Sequence, residues 1–268
     1  MTSSRLANSK SGRSSFVPSR KLIYVRLPFR RFIINIQKQV KLIMMNMMEK
    51  YFVCMAVSYK YGGKCIGGVE LERNPRTRSY SIVKVNGLPK WVRPVTKGTA
   101  HGEIPNYISE QFQVMDILKI EDVRACPDCA QSENFYFSTI SKVGRANSNV
   151  KTLDMLCDSY HGLIFGNRGR AVAPESYASL GYSLMLIKPE GVRFFMENRY
   201  NSDVQRLRVS FTYNGHKYNL PVTDPEICQR ASNGVNHLNN SSSYYLTLSL
   251  GVEHEGWHSK LVANVISM

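Results

Sequence analysis

At 268 residues the chain can bury a full core as one large or two small domains, and its 43% hydrophobic and 10% aromatic content is ordinary for a globular protein. The formal net charge of +15 is unevenly spread: ten of the 35 Lys and Arg fall in residues 1–48, which hold no Asp or Glu, so the rest carries 25 basic residues against 20 acidic ones. No apolar run reaches the ~18 residues of a membrane span and no signal-peptide core follows the basic start, so neither secretion nor membrane insertion is expected; the six scattered cysteines read as free thiols of a reducing cytoplasm.

Residues 1–48 differ in composition from everything after them. MTSSRLANSKSGRSSF is rich in Ser and Arg, RKLIYVRLPFRRFIINIQKQ is basic and apolar, and KLIMMNMMEKYF holds four methionines. The segment reads as a basic, disordered leader. By composition it matches a transit peptide, and a tail that grips nucleic acid is a further option. The reading preferred is a misplaced start, with Met45, Met47 or Met48 as the initiator.

From Tyr51 onward the pattern is that of strands. YFVCMAVS is a β-branched and aromatic run, and in YKYGGKCIGGVEL two Gly pairs bracket a second one. SYSIVKV and KWVRPV follow, separated by the NGLP turn at 86–89, and QVMDILKI reads as another strand. Such spacing, with turn signals between, predicts a barrel or sandwich. In the next segment ENFYFSTIS suggests a strand, VKTLDMLC a short helix and GLIFGNRGRAVAPES a Gly-rich loop. RLRVSFTYNGHKYNLPVTDP (206–225) is a hairpin turning at Asn214-Gly215, which pairs Tyr213 with His216, Phe211 with Tyr218, Val209 with Leu220 and Leu207 with Val222. Its other face, with Arg206, Arg208, Ser210, Thr212, Lys217 and Asn219, is expected to be wet and basic. A polar loop over 229–243 precedes two closing strands, YYLTLSL and KLVANVI.

These segments together resemble the dual OB-containing domain family. The likeness is carried by KYFVCMAVSYKYGGKCIGGVEL, WVRPVT, VMDILKI with QSEN, GYSLMLIKPEGVRF, FTYNGHKYNLPVTDP, LTLSLG and HSKLVANVI, over about residues 50–268. The resemblance implies an all-β protein with minor α content, built as two OB-like small barrels in tandem and divided near 50–125 and 126–268. It further implies a bacterial protein from the neighbourhood of defence or mobile-element genes, with no settled activity.

Four constellations invite chemistry. His254-Glu255-Gly256-Trp257-His258 spells the H-E-x-x-H pattern of zinc proteases, which works only where a helix brings both imidazoles to one face. Here the flanks alternate as strands do, so the two histidines would stand roughly 13 Å apart, and a turn with exposed imidazoles is expected instead. Cys126, Cys129, Cys157 and His161 have ligand types suited to a structural zinc, against the simpler reading of a tight CPDC turn with two free thiols. Lys60 and Lys64 flank a Gly-rich stretch and could meet a phosphate, although a bulge between strands explains the glycines equally well. Trp91 and Arg93, two apart on a strand, could stack a base and contact its phosphate, or could be core and solvated charge respectively. Arg168 and Arg170 in a basic loop, with Arg206, Arg208 and Lys217 on the hairpin, complete the candidates.

No nucleophile–base pair emerges, so neither enzymatic activity nor a cofactor is expected, and Asp224 in VTDP suits a helix cap or turn. The leading expectation is a module binding single-stranded DNA or RNA on its barrel surfaces. The alternatives are a sensor of a nucleotide-like ligand or an interaction module for a partner protein from a neighbouring gene, and last a zinc-dependent hydrolase.

Overall fold

The computed structural model describes residues 49–60, 62–126, 131–198 and 202–268; residues 1–48, expected to be a leader, and Cys129 lie outside them. The first part of the chain forms β1 (Glu49–Lys60), β2 (Gly63–Arg73), β3 (Tyr80–Ile82), β4 (Lys84–Val85), β5 (Leu88–Pro89), β6 (Trp91–Val95), β7 (Ile104–Pro105), the short helix α1 (Asn106–Ser109), β8 (Asp116–Glu121), β9 (Arg124–Ala125), β10 (Asn134–Tyr136) and β11 (Thr139–Arg145). Most of these join one curved sheet in the order β11-β8-β1-β2-β6-β10-β9, with β3 and β7 also on β2. The β4–β5 hairpin turns at Asn86-Gly87, whose φ values of 52° and 82° are those the expected NG turn demands. The sheet continues past residue 126 to Arg145, across the division expected at 125/126.

The remainder forms α2 (Val150–Leu156), β12 (Ala171–Val172), α3 (Pro174–Leu180), β13 (Leu184–Ile187), β14 (Glu190–Asn198), β15 (Gln205–Tyr213), β16 (His216–Pro221), α4 (Pro225–Ala231), β17 (Tyr244–His254) and β18 (Trp257–Ser267). Two sheets result, β12-β18-β17-β13 and β14-β15-β16. The fold is therefore all-β with minor helix. Among the described residues no hydrogen-bonded ladder closes on itself, so these are open OB-like sheets and not sealed barrels. Two expected loops carry more structure than their composition suggested. The Gly-rich segment holds a 3-10 turn (Ile164–Gly166), β12 and the start of α3. The polar segment begins inside α4, which Asp224 caps by accepting from the amides of Glu226 and Ile227, with Pro225 at the first helical position.

Three apolar clusters organise the molecule. Phe52, Cys54, Ile66, Val92, Leu118 and Ile120 pack together on one side of the first sheet. Phe194, Val209, Phe211 and Leu220 meet Leu246, Leu248, Leu250 and Val262 between the second and third sheets. Between these bodies lies a third cluster, with Val53 and Met55 from β1, Trp91 from β6, Leu184 and Leu186 from β13, and Tyr245 from β17. Strands β1 and β17 are thus buried on both faces: alternate residues serve their own core and the joint between the bodies. Gly67 permits that approach, since a Cβ there would stand 2.8 Å from Leu184 Cδ1. A Cβ on Gly68 would collide with Val53 O, where the β1–β2 register slips between Cys54 and Ala56. The Gly pair thus serves a bulge and a packing contact.

Polar groups tie the joint. Trp91 Nε1 donates to Asp158 Oδ2 at 3.2 Å, and the same oxygen accepts from Leu186 N at 2.7 Å. Thr247 Oγ1 donates to Met55 O at 2.7 Å. Burial raises the Asp158 pKa to about 7 despite these donors. Because the folded value lies above the unfolded one, the native state holds more protons between about pH 4 and 7, and stability falls as pH rises through that window. Asp158→Asn keeps an acceptor for both donors and removes the titration. The variant should lose this downward slope in melting temperature between pH 4 and 7; a slope unchanged from wild type would assign the titration to other groups.

Candidate nucleic-acid interface

Trp91 and Arg93 do point the same way from β6, but into the joint and not into solvent. Trp91 is 7% exposed and its indole is engaged by Asp158. Arg93 is 5% exposed, and its Nη2 donates to Ser249 Oγ at 3.3 Å and Ser183 O at 3.5 Å. Glu133 Oε1 stands 3.9 Å from that guanidinium and accepts from Ser183 N and Oγ. Of the two readings left open, Trp91 follows the core one, while Arg93 is neither a phosphate contact on an open face nor a solvated charge, because β6 is covered on both faces.

Beside Arg93 the bodies part to leave two adjoining cavities of roughly 390 and 480 Å³, which share Lys60, Arg93, Leu250, Gly251 and Val252 as walls. Four separate segments bring side chains to the first: Lys97 and His101 from the turn after β6, Tyr136 from β10, Tyr177 from α3 and His258 from β18. Lys97 Nζ lies 4.6 Å from the Tyr136 ring centroid, a cation–π contact at the rim. Tyr177 stacks on His258 with centroids 3.5 Å apart and planes 13° from parallel. Burial pushes the Tyr177 hydroxyl up to about 12, so the phenol is neutral at physiological pH. Burial, reinforced by the Arg93 charge, holds the Lys60 ammonium below the usual lysine range. On the floor, Arg93 Nε and Asn134 Oδ1 are buried without a hydrogen-bond partner, a donor and an acceptor side by side on paired strands.

The second cavity opens past Tyr59, 60% exposed, whose ring carries Lys64 Nζ at 3.9 Å. Tyr59 and Lys64 are cross-strand partners, as are Lys60 and Gly63, so the two lysines do not form one phosphate loop. Trp257, 52% exposed, sits opposite His254 on the β17–β18 hairpin, and His254 lines this cavity.

HEGWH is that hairpin's tip. Glu255 and Gly256 have φ of 50° and 79°, and His254 pairs with Trp257 and Glu253 with His258, so no helix brings the two histidines together. One detail differs from expectation: His258 is buried, its Nδ1 donating to Gly251 O at 3.0 Å. Cys126 is buried and disulfide-bonded, so it is not the free thiol expected of it. Cys157, whose thiol burial raises to about 12, packs against the joint core, and His161 is exposed. Among the described residues no three His, Cys, Asp or Glu converge as a metal site.

The other basic candidates lie elsewhere. Arg168 and Arg170 are exposed on the loop that Lys260 fastens from beneath, its Nζ donating to Ile164 O, Asn167 O and Asn167 Oδ1. Lys217 is exposed and Arg206 half-buried. Arg208 overturns the wet-face expectation: it is fully buried, bonded to Asn219 and ion-paired with Glu197 at 3.0 Å, and burial lowers its pKa to about 10. None of these five lines the cleft.

The family model described as the dual OB-containing domain matches residues 50–265. No curated protein matches the sequence. Among solved structures, the p204 HINb domain aligns at 11% identity and TM-score 0.26, covering 81% of this chain and 94% of that one. The Ifi202 HINa domain, solved in complex with 20bp dsDNA, aligns at 11% identity and TM-score 0.27, covering 81% and 93%. Values this low carry no argument about binding. No helix among the described residues is long and apolar enough to cross a membrane.

The pair of Arg93, on the cleft floor, with Glu133 behind it is testable alone. Glu133→Ala would strand a buried guanidinium and should cost about 3–5 kcal/mol in urea unfolding, while adding Arg93→Met should recover part of the loss. A Glu133→Ala cost under about 1 kcal/mol would mean that water already solvates the pair.

Proposed function

We propose, from the premise that this chain belongs to the dual OB-containing domain family, that the cleft between its two bodies binds single-stranded nucleic acid. One observation carries the reading: lysines and aromatic rings from distant segments converge on a cavity whose floor holds an unpartnered donor and acceptor. Lys60 and Lys97 suit a phosphate, and a phosphate near Lys60 would offset the burial that lowers its pKa. Tyr136, and Tyr59 and Trp257 farther along, offer faces to unpaired bases, whose stacking contributes about 1–3 kcal/mol each. Bases locked in a duplex could not reach such rings, which favours single strands.

Fluorescence anisotropy with labelled single-stranded DNA, single-stranded RNA and duplex DNA tests this at low salt. Single strands should bind, with affinity falling as salt rises at a log–log slope of about −0.7 per phosphate neutralised. Lys97→Ala and Tyr136→Ala should each weaken binding by about tenfold, while Lys217→Ala, remote from the cleft, should not. Failure of both single strands to bind, or tighter binding of the duplex, would overturn the reading.

A further inference from the structure

A third cavity, of roughly 450 Å³, opens on the joint and shares no lining residue with the cleft. Its size is that of a small-molecule site. The walls are aromatic and apolar: Trp91, Tyr160, Tyr182, Leu184 and Met185, with Leu88 and Pro89 of the β4–β5 hairpin. Two carboxyl groups face this apolar lining. Glu133 is 3% exposed; its Oε1 is taken by Ser183 N and Oγ at 2.8 and 2.6 Å, while its Oε2 is buried with no hydrogen-bond partner. Asp158 Oδ2 is occupied by Leu186 N and Trp91 Nε1, and Oδ1 has only a 3.5 Å contact with the same indole.

A buried acceptor left unused costs free energy that a ligand donor would recover. Flat aromatic walls select a ring, and unused carboxyl oxygens select N–H donors on its edge. An ion is the poorer occupant: no third His, Cys, Asp or Glu joins the two carboxyls among the described residues. We propose that this cavity binds a planar nitrogen heterocycle bearing an exocyclic amine, of the nucleobase type, with the ring against Trp91 and Tyr160 and the amine donating to Glu133 Oε2. The site shares no lining residue with the cleft, and a nucleoside without phosphate lacks the group that Lys60 and Lys97 would hold there.

The chain has two tryptophans, so Trp257→Phe leaves Trp91 as the sole indole reporter for this cavity, which Trp257 does not line. Titration with matched nucleosides tests the proposal: adenosine against inosine and cytidine against uridine differ by an amine replaced with a carbonyl. Adenosine or cytidine should quench Trp91 saturably, with at least about tenfold preference over its partner, since a hydrogen bond to a charged acceptor is at stake, and with little dependence on salt. Glu133→Gln keeps an oxygen for Ser183 and sets an N–H₂ beside the ligand, so the amine preference should vanish or reverse towards the carbonyl partner. Tyr160→Ala trims an exposed wall without touching the joint core and should weaken every nucleoside. Absence of saturable quenching by any of the four overturns the proposal, and so does quenching without amine preference that Glu133→Gln leaves unchanged. Strand affinity, read by anisotropy on the protein with Trp257 intact, reports separately on the cleft.

Discussion

The buried guanidinium of Arg93 is the constraint from which the arrangement of the two bodies follows. It enters from the first sheet and meets Glu133, Ser183 and Ser249, the latter two at the edge of the second body. The apolar cluster around Val53, Leu184, Leu186 and Tyr245 supplies adhesion, but apolar contact alone is tolerant of sliding. Directional bonds are not. Thr247 to Met55 O fixes β17 against β1, Trp91 to Asp158 ties β6 to the loop after α2, and Ser183 to Glu133 joins the residues that lead into β13 and β10. Both cavities of functional interest border this seam, so their shape depends on its register.

A seam of this kind explains what could be read from the sequence. Local geometry was legible. The hairpin at Asn214-Gly215 has the cross-strand pairs that its turn type requires, and the HEGWH tip turns because Glu255-Gly256 adopts positive φ. The alternation of Leu246, Leu248 and Leu250 marked β17 as a strand and chose its core face. Which opposite face is wet was not legible. Thr247 and Ser249 are as buried as the leucines, because the first body covers them and supplies their hydrogen-bond partners. The same blindness applies to Trp91 and Arg93: each side chain's direction follows from strand periodicity, but its cover comes from elements far away in the chain. Arg208 is engaged closer to home, by Asn219 and Glu197 of the two strands beside it.

The cleft was illegible for a related reason. Lys97, Tyr136, Tyr177 and His258 come from a turn, two strands and a helix, and no spacing rule links them. Lys60 and Arg93 were expected to contact phosphate, Lys60 for the Gly-rich stretch beside it and Arg93 as half of a stacking pair, while His258 stood out only as half of a zinc-protease pattern. A usable signal lay in the terminal hairpin. An aromatic residue following a two-residue turn, as Trp257 does, stands at a tip where little can cover it.

Charge bears on how such a cleft would hold its ligand. The net charge of +15 overstates the charge of the described residues, since ten of the basic residues fall in residues 1–48. Within the body, Arg93 and Arg208 face Glu133 and Glu197. Lys50, Lys90, Lys119, Lys142 and Arg145 are likewise engaged by carboxylates. What remains at the cleft is Lys60 and Lys97, enough to neutralise on the order of two phosphates and so to give only a shallow salt dependence. Long-range steering would be weak, and binding would rest on rings and on the unpartnered pair at the floor. These are short-range, orientation-dependent contacts. A site built this way discriminates by the shape and hydrogen-bonding edge of its ligand more than by the ligand's charge.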